Sequence, residues 1–196
     1  MKIILDAGHG GWSNGKYQTD PKMGKLYHHP SFTFYEGVNN RMIAARLIPL
    51  LEYSEIDVVR VYHDSEDWSL SKRVKLANES GGDLFLSIHS NAGKGKGFEV
   101  YTTRGQTASD PIAEVFANQF EKDFPEWGLR KDILDKDKDR EADFYVIKKT
   151  KMPAVLLELL FFDEEKQARF LMSTEGQVRI AESIRQALLK IKTQKA

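Results

Sequence analysis

Three ionisable residues follow apolar segments of this sequence. His9 follows "KIILDAG", His89 follows "DLFLSI", and Glu158 follows "PAVLL". In an open sheet of parallel strands, ligands bind outside the carboxyl ends of the strands, so these side chains would share one edge. Imidazoles and carboxylates are zinc ligands, and a carboxylate also serves as a general acid and base. The three residues therefore predict metal-assisted chemistry at one edge of a sheet.

The immediate surroundings of two of these residues strengthen that interpretation. Glycines on both sides of His9, in "DAGHGG", let the backbone approach a ligand closely. Glu158 lies within "AVLLELLFF", where an unpaired carboxylate is costly. Each residue also has an ordinary structural explanation, because a histidine after a strand is often a turn residue and a buried glutamate can pair with a lysine or an arginine.

A zinc site takes two or three protein side chains and leaves a position open for water. His9 and His89 would supply two of these ligands. The candidates for the third are Glu36, Glu158, His63, His28 and His29. Glu36 directly precedes a predicted helix, where the helix dipole favours a carboxylate in any case. His28 and His29 lie in a long loop, and we expect them to be exposed. Composition and spacing do not choose between Glu36 and Glu158.

The elements that must position these residues alternate between strands and helices. Hydrophobic periodicity predicts strands at "KIIL", "DVVRVY", "DLFLSI", "GFEVYT", "DFYVIKK" and "PAVLLELLFF". It predicts helices from Val38 to about Tyr53, with a kink or early end at Pro49, over "SLSKRVKLANESGG" with Ser69 as N-cap, over "DPIAEVFANQFEKDF", and from Thr174 to about Lys192. Residues 10–35 and "RKDILDKDKDRE" are predicted to be loops.

This order of elements predicts an α/β fold. The strands are mostly continuous apolar runs, which is typical of a sheet covered on both faces. We expect a single domain over residues 1–196, with a mixed, mostly parallel twisted sheet flanked by helices on both faces.

Composition excludes several classes of partner and site. The 29 basic and 29 acidic residues give no net charge, which argues against a broad nucleic-acid-binding surface. The absence of cysteine excludes disulfides and thiolate metal sites. The sequence shows no membrane-spanning segment and no signal peptide, so we expect synthesis in the cytoplasm and no membrane insertion.

Five segments occur in an order that is specific as a set: "IILDAGHGG", "YEGVNN", "RVKLANESGGDLFLSIHSNA", "GFEVYTT" and "FYVIKKTKMPAVLLELLFF". Together they resemble the zinc-dependent N-acetylmuramoyl-L-alanine amidases of the amidase-3 family, from Lys2 to about Leu171. The resemblance implies a peptidoglycan substrate, a site of action at the bacterial cell wall, and release or delivery to it, as for a phage-type lysin.

The resemblance also implies roles for particular residues. His9, Glu36 and His89 would hold one zinc ion per chain, and Glu158 would be the catalytic carboxylate. The bond cleaved would join the lactyl group of N-acetylmuramic acid to the L-alanine of the stem peptide. Asn91 would help to hold the substrate or shape the surroundings of the site.

The chain departs from the family pattern at several positions. His63 stands where the family often has an arginine, and "LLF" at 159–161 stands where it usually has a small residue and a Gly-Phe pair. We expect this bulk to narrow or reshape that wall of the cleft. The loop from Trp12 to Tyr35 is longer than usual. The segment from Glu121 to Asp143 is too short and irregular for the inhibitory helix of some relatives, which predicts an uninhibited domain.

Two other functions remain as alternatives. One is a zinc peptidase or amidase that cuts within the stem peptide, and the other is a non-catalytic module that binds wall fragments. The sequence lacks "HExxH", which argues against the common helical zinc peptidases.

Overall fold

A six-stranded mixed sheet forms the centre of the molecule. The computed structural model describes residues 1–132 and 137–194. In these residues the strands are β1 (Lys2–Ala7), β2 (Trp12–Ser13), β3 (Lys16–Tyr17), β4 (Leu26–His28), β5 (Thr33–Tyr35), β6 (Asp57–Arg60), β7 (Leu84–Asn91), β8 (Glu99–Thr102), β9 (Arg140–Glu141) and β10 (Ala154–Phe161). The main sheet has the order β6-β1-β7-β10-β8-β9, and its neighbours are parallel except for β8 and β10. The predicted mixed, mostly parallel sheet is confirmed.

Helices cover both faces of this sheet, as predicted. In the described part of the chain they are α1 (Glu36–Tyr53), α2 (Leu70–Ser80), α3 (Asp110–Asp123), α4 (Tyr145–Lys148), α5 (Glu165–Met172) and α6 (Thr174–Gln194). Side chains of α1, α3, α5 and α6 form the larger core with Ile3 and Leu5 of β1. Ile4, which points the other way from the same strand, packs in a smaller core with side chains of α2 and α4.

The ends of α2 follow from its sequence. The side chain of Ser69 accepts a hydrogen bond from the Lys72 amide and caps the first turn, as predicted. Gly81 ends the helix in the left-handed conformation, with φ 61°. The start of this helix lies beside the candidate residues, whereas its end lies near Lys2 at the opposite edge of the sheet.

The structure corrects several predicted elements. The segment "DFYVIKK" is not a strand, because Tyr145–Lys148 forms α4 and its consecutive residues Val146 and Ile147 both pack in the smaller core. The early end of the first helix at Pro49 is also wrong, since α1 continues to Tyr53. The helix α5 has no counterpart among the predicted elements.

The two predicted loops also contain short strands. Residues 10–35 include the hairpins β2–β3 and β4–β5 and a single turn of 3-10 helix at Pro21–Met23. The charged segment 130–141 ends in β9, which pairs with β8, while residues 133–136 of that prediction lie outside the described residues. Within 1–132 and 137–194, no helix is both long and apolar enough to cross a membrane.

Candidate metal centre

His9, Glu36 and His89 meet at the carboxyl ends of β1 and β7. The Oε1 atom of Glu36 lies 3.4 Å from Nε2 of His9 and 3.1 Å from Nδ1 of His89. The two imidazole rings are almost perpendicular, and their centroids are 4.9 Å apart. One possible ligand atom from each of the three residues lies within 4.8 Å of the other two. Glu158 is not part of this group. Sequence spacing did not choose between Glu36 and Glu158 as the third metal ligand, and the geometry favours Glu36.

The sheet itself brings the two histidines together. Ala7 and Ile88 are register partners in β1 and β7, and the Gly8 amide donates to the Ile88 carbonyl at 3.0 Å. A Cβ atom on Gly8 would lie 2.1 Å from Cε1 of His89. Glycine is therefore required at position 8 for the His89 ring to lie against the backbone of the His9 turn.

Two arginines hold the turn that carries His9. The backbone of His9 has φ 64°, a conformation that residues other than glycine rarely adopt. Its carbonyl accepts hydrogen bonds from Nη2 of Arg41 at 2.6 Å and from Nη2 of Arg73 at 3.0 Å. The guanidinium of Arg73 is buried and also pairs with Asp6 at 2.6 Å. Because an arginine within a helical pattern is normally exposed, neither residue was predicted as part of the site.

Burial and neighbouring charge set the protonation of Glu36 and His9. Burial alone would raise the pKa of the Glu36 carboxyl, but the imidazoles of His9 and His89 outweigh it and hold this pKa well below its usual range. Burial lowers the pKa of His9 more than Glu36 raises it. An ionised carboxylate and a neutral imidazole are the forms that bind metal ions.

Two atoms of this cluster lack hydrogen-bond partners. His9 Nε2 and Glu36 Oε2 are both buried and make no hydrogen bond within the described residues. A buried polar atom without a partner normally costs about 1–3 kcal/mol of stability. A cation bound among the three residues would satisfy such atoms, and two imidazoles with one carboxylate form a donor set that suits zinc. The side chains present therefore fit a divalent metal ion.

Glu158 lies beside this cluster in the neighbouring strand. In the register of β7 and β10 it is the partner of His89, and on its other side it is the partner of Glu99 in β8. Its Oε2 atom is buried and has no hydrogen-bond partner among the described residues. Burial, and next the negative charge of Glu36, raise the pKa of Glu158 well above its ordinary value. A carboxylate with a raised pKa next to a metal site is suited to accept and donate a proton.

The remaining histidine candidates lie outside the cluster and have structural contacts. Nδ1 of His63 accepts hydrogen bonds from the amides of Ser65 and Glu66 and so closes a turn. Nδ1 of His28 lies 2.9 Å from the Thr33 hydroxyl in the β4–β5 hairpin. The expected exposure of His29 is wrong, because its ring is buried.

Asn91 lies at the end of β7, next to the site. Its side-chain amide donates to Oε2 of Glu99, and its Oδ1 accepts from the Ala92 amide at 2.8 Å. Asn91 therefore orients Glu99, the strand partner of Glu158, and its contact with substrate stays a prediction.

The segment after Glu158 packs into the interior. Leu159 and Leu160 are fully buried in the larger core, so their bulk fills the interior, and the expected change in the cleft wall stays a prediction. The register of β10 shifts between Glu158 and Phe161, and Leu160 has φ 61°. The family pattern has glycine at this position, and glycine adopts such a conformation without strain.

The segment between α3 and β9 contains no helix in its described residues, 124–132 and 137–139. The absence of an inhibitory helix is expected from Glu121 to Asp143, and residues 133–136 of that segment lie outside the described residues.

Comparison with known proteins agrees with this arrangement. The profile of the N-acetylmuramoyl-L-alanine amidase family Amidase_3 matches residues 3–190. The N-acetylmuramoyl-L-alanine amidase CwlM of Bacillus licheniformis is 31% identical over 177 residues, which are 89% of this chain and 62% of that protein. The endolysin of Bacillus phage SPP1 is 28% identical over 199 residues, which are 96% of this chain and 65% of that protein. The chain thus spans less than two thirds of the length of these two relatives.

A solved structure resembles the whole chain. The N-acetylmuramoyl-L-alanine amidase from Clostridium difficile 630 superposes with a TM-score of 0.81 and 26% sequence identity, covering 100% of this chain and 98% of that one. The match of the family profile to nearly the full length shows that this chain belongs to the N-acetylmuramoyl-L-alanine amidase family.

Proposed function

We propose that this protein is a zinc-dependent amidase that cleaves peptidoglycan between N-acetylmuramic acid and the L-alanine of the stem peptide. The observation that carries the proposal is the His9, Glu36 and His89 cluster with the carboxyl group of Glu158 in the adjacent strand. Residues 1–196 would form one catalytic domain that acts at the bacterial cell wall. Membership of the family and the likeness to a wall amidase structure support this function.

His9, Glu36 and His89 would hold the metal ion, one per chain. A zinc ion held there would polarise an amide carbonyl and lower the pKa of its bound water. Burial lowers the pKa of His9, and the neighbouring imidazoles lower the pKa of Glu36; both shifts favour the forms that bind a metal ion. The hydrogen bonds of Arg41 and Arg73 to the His9 carbonyl fix the direction of the first ligand.

Glu158 would transfer the proton. Its carboxylate takes a proton from the attacking water, whose oxygen forms a bond to the lactyl carbonyl carbon. The same proton then passes to the alanine nitrogen as the carbon–nitrogen bond breaks, which returns Glu158 to its starting state. The raised pKa of this carboxyl makes it a strong enough base for the first step and a good acid for the second.

A cavity of about 420 Å³ beside the cluster offers room for the substrate. His9 and His89 form one wall of it, and Trp68, Leu70 and Met23 contribute apolar surface. Leu70 and Met23 are more than half exposed, at 53% and 57%. Apolar and aromatic side chains with a few polar groups are typical of sites for organic ligands.

The first experiment is to measure zinc in purified wild-type protein beside His89→Ala, and to analyse the products from purified peptidoglycan. We expect about one zinc per chain in the wild type, its loss in the variant, and new amino termini on L-alanine. Glu158→Gln should keep zinc and lose turnover. New amino termini on other residues would instead identify a stem-peptide peptidase, and binding to the wall without turnover would identify a binding module.

A further inference from the structure

The β4–β5 hairpin fixes one lysine against the metal centre. Leu26 pairs with Tyr35 in this hairpin, and the next pair outward is Lys25 with Glu36, where the Glu36 amide donates to the Lys25 carbonyl at 3.1 Å. The register of the hairpin therefore sets the position of Lys25 relative to the first residue of α1.

The far end of the hairpin is anchored to the sheet. Nε2 of His29 donates to the carbonyl of Phe162, which directly follows β10, at 2.8 Å. Phe34 stacks on Phe162 with the ring centroids 5.2 Å apart. His29 and Phe34 are both buried. Lys25 thus lies on a supported element and not on a free surface loop.

The side chain of Lys25 reaches the second oxygen of the Glu36 carboxylate. Nζ lies 3.7 Å from Oε2, while Oε1 of the same carboxylate faces the two imidazoles. The charge of Lys25 also acts on Glu158, where it opposes the rise of the pKa caused by burial. The ammonium group therefore lies beside the Glu36 carboxylate, and its charge is felt by Glu158.

The donors of Lys25 are unused, in contrast to those of the other cations nearby. Arg41 and Arg73 donate to the His9 carbonyl and to further backbone oxygens, which occupies their guanidinium groups. Within residues 1–132 and 137–194, Nζ of Lys25 makes no hydrogen bond, and its contact with Glu36 is longer than one. Its side chain is 34% exposed, so a ligand that approaches from solvent can reach the ammonium group beside Glu36.

We propose that Lys25 is a further catalytic residue, whose ammonium group donates a hydrogen bond to the scissile carbonyl oxygen as negative charge develops there. This inference rests on the proposed amidase function. As the water oxygen bonds to the carbonyl carbon, the π electrons of the carbonyl move to its oxygen. Lys25 stabilises that charge without losing its own proton, and the charge disappears when the carbonyl forms again and the amine leaves. A cation placed in advance in a partly water-excluded site is most effective in this role.

The test compares Lys25→Met with Lys25→Arg and with Lys22→Met. Lys22 lies in the same segment but is exposed, so its variant is the matched control. We expect Lys25→Met to lower kcat by about 100-fold or more, the usual effect of removing one such donor, with little change in KM. Lys25→Arg keeps the charge and should recover part of the loss, and Lys22→Met should behave as wild type.

A second measurement is independent of turnover. A phosphinate analogue of the substrate carries a tetrahedral, negatively charged group in place of the scissile amide, and calorimetry gives its affinity for the zinc-loaded protein. Lys25→Met should weaken this binding by about the factor by which it lowers kcat/KM, because the analogue resembles the transition state. Zinc affinity, measured by chelator competition, should not fall in this variant.

Two results would overturn the inference: wild-type kcat in Lys25→Met, or a loss of zinc from that variant in parallel with its activity. The second result would mean that Lys25 acts only through Glu36. If the wild type released no L-alanine termini, the proposed function would fail and the catalytic role of Lys25 with it; weaker phosphinate binding in Lys25→Met would then show only that Lys25 binds an anionic tetrahedral group.

Discussion

The contact between Gly8 and His89 makes a sharp prediction for Gly8→Ala. The added Cβ would lie 2.1 Å from Cε1 and 2.4 Å from Nε2 of the His89 ring. Non-bonded carbon atoms approach to about 3.5 Å, so the ring must move by more than about 1 Å. Metal–ligand distances tolerate only about 0.2 Å. We therefore expect zinc affinity to fall at least about 10- to 100-fold, the range seen when the support of a ligand is lost.

The metal-free variant should lose some stability but stay folded, so its metal binding can be measured. Overpacking typically costs about 1–3 kcal/mol, which leaves a domain of this size folded. Gly15→Ala is the matched control, because φ at Gly15 is 71° and no atom lies within 4 Å of the added Cβ. It should lose about 1–2 kcal/mol to backbone strain and keep wild-type zinc affinity.

Chelator competition and thermal unfolding of the metal-free proteins separate the two effects. Zinc affinity in Gly8→Ala equal to that of the wild type would refute this reasoning. It would mean that metal binding does not need the His89 ring to lie against the backbone at Gly8.

Three further predictions concern the surroundings of the site. Arg73→Leu leaves the Asp6 carboxylate buried without a cation, with only the Ser87 hydroxyl donating to it, so urea unfolding should show a loss of about 3–5 kcal/mol. Lys75→Met breaks an exposed pair on the same helix and should cost less than about 1 kcal/mol, and equal losses would contradict this reasoning. Leu160→Gly relieves the positive φ but removes a fully buried side chain, so it should destabilise the protein by at least about 1 kcal/mol in spite of the family pattern, and a gain in stability would show that strain dominates. Folding raises the pKa of Glu158, so the protonated carboxyl stabilises the protein at a pH below the pKa of the unfolded chain, about 4.5, and this stabilisation is lost as the pH rises towards the pKa in the folded protein. Unfolding of the metal-free protein at a series of pH values should show this loss in the wild type and not in Glu158→Gln.

The sheet and the two histidines could be predicted because their signals are local. Continuous apolar runs identify buried strands whatever their neighbours are, and parallel strands place their carboxyl ends on one edge. His9 and His89 follow such runs, which was enough to bring them together.

Glu36 could not be chosen from spacing, because its position depends on the β4–β5 hairpin that leads into α1. That hairpin is made of two three-residue strands within a polar and aromatic segment, which local pattern does not distinguish from a loop. The resemblance to the family assigned Glu36 where the physical argument left the choice open.

The error at "DFYVIKK" has a different origin. A short apolar segment with β-branched residues fits a strand and a single helical turn equally well. Val146 and Ile147 form a turn because both pack in the smaller core with Val74 and Ala77 of α2. Arg73 was missed for a related reason, since only the tertiary fold places its guanidinium beneath the His9 turn.

The two arginines on the His9 carbonyl come from opposite sides of the sheet. Arg41 belongs to α1, which packs in the larger core, whereas Arg73 belongs to α2, which packs in the smaller one. The smaller core contains few side chains, so local opening of α2 requires less free energy than global unfolding. Such an opening withdraws Arg73 from the first ligand while the rest of the sheet remains folded. If a metal ion is held as proposed, substitutions that loosen α2 should speed its release, with Arg41 still in contact with the His9 carbonyl.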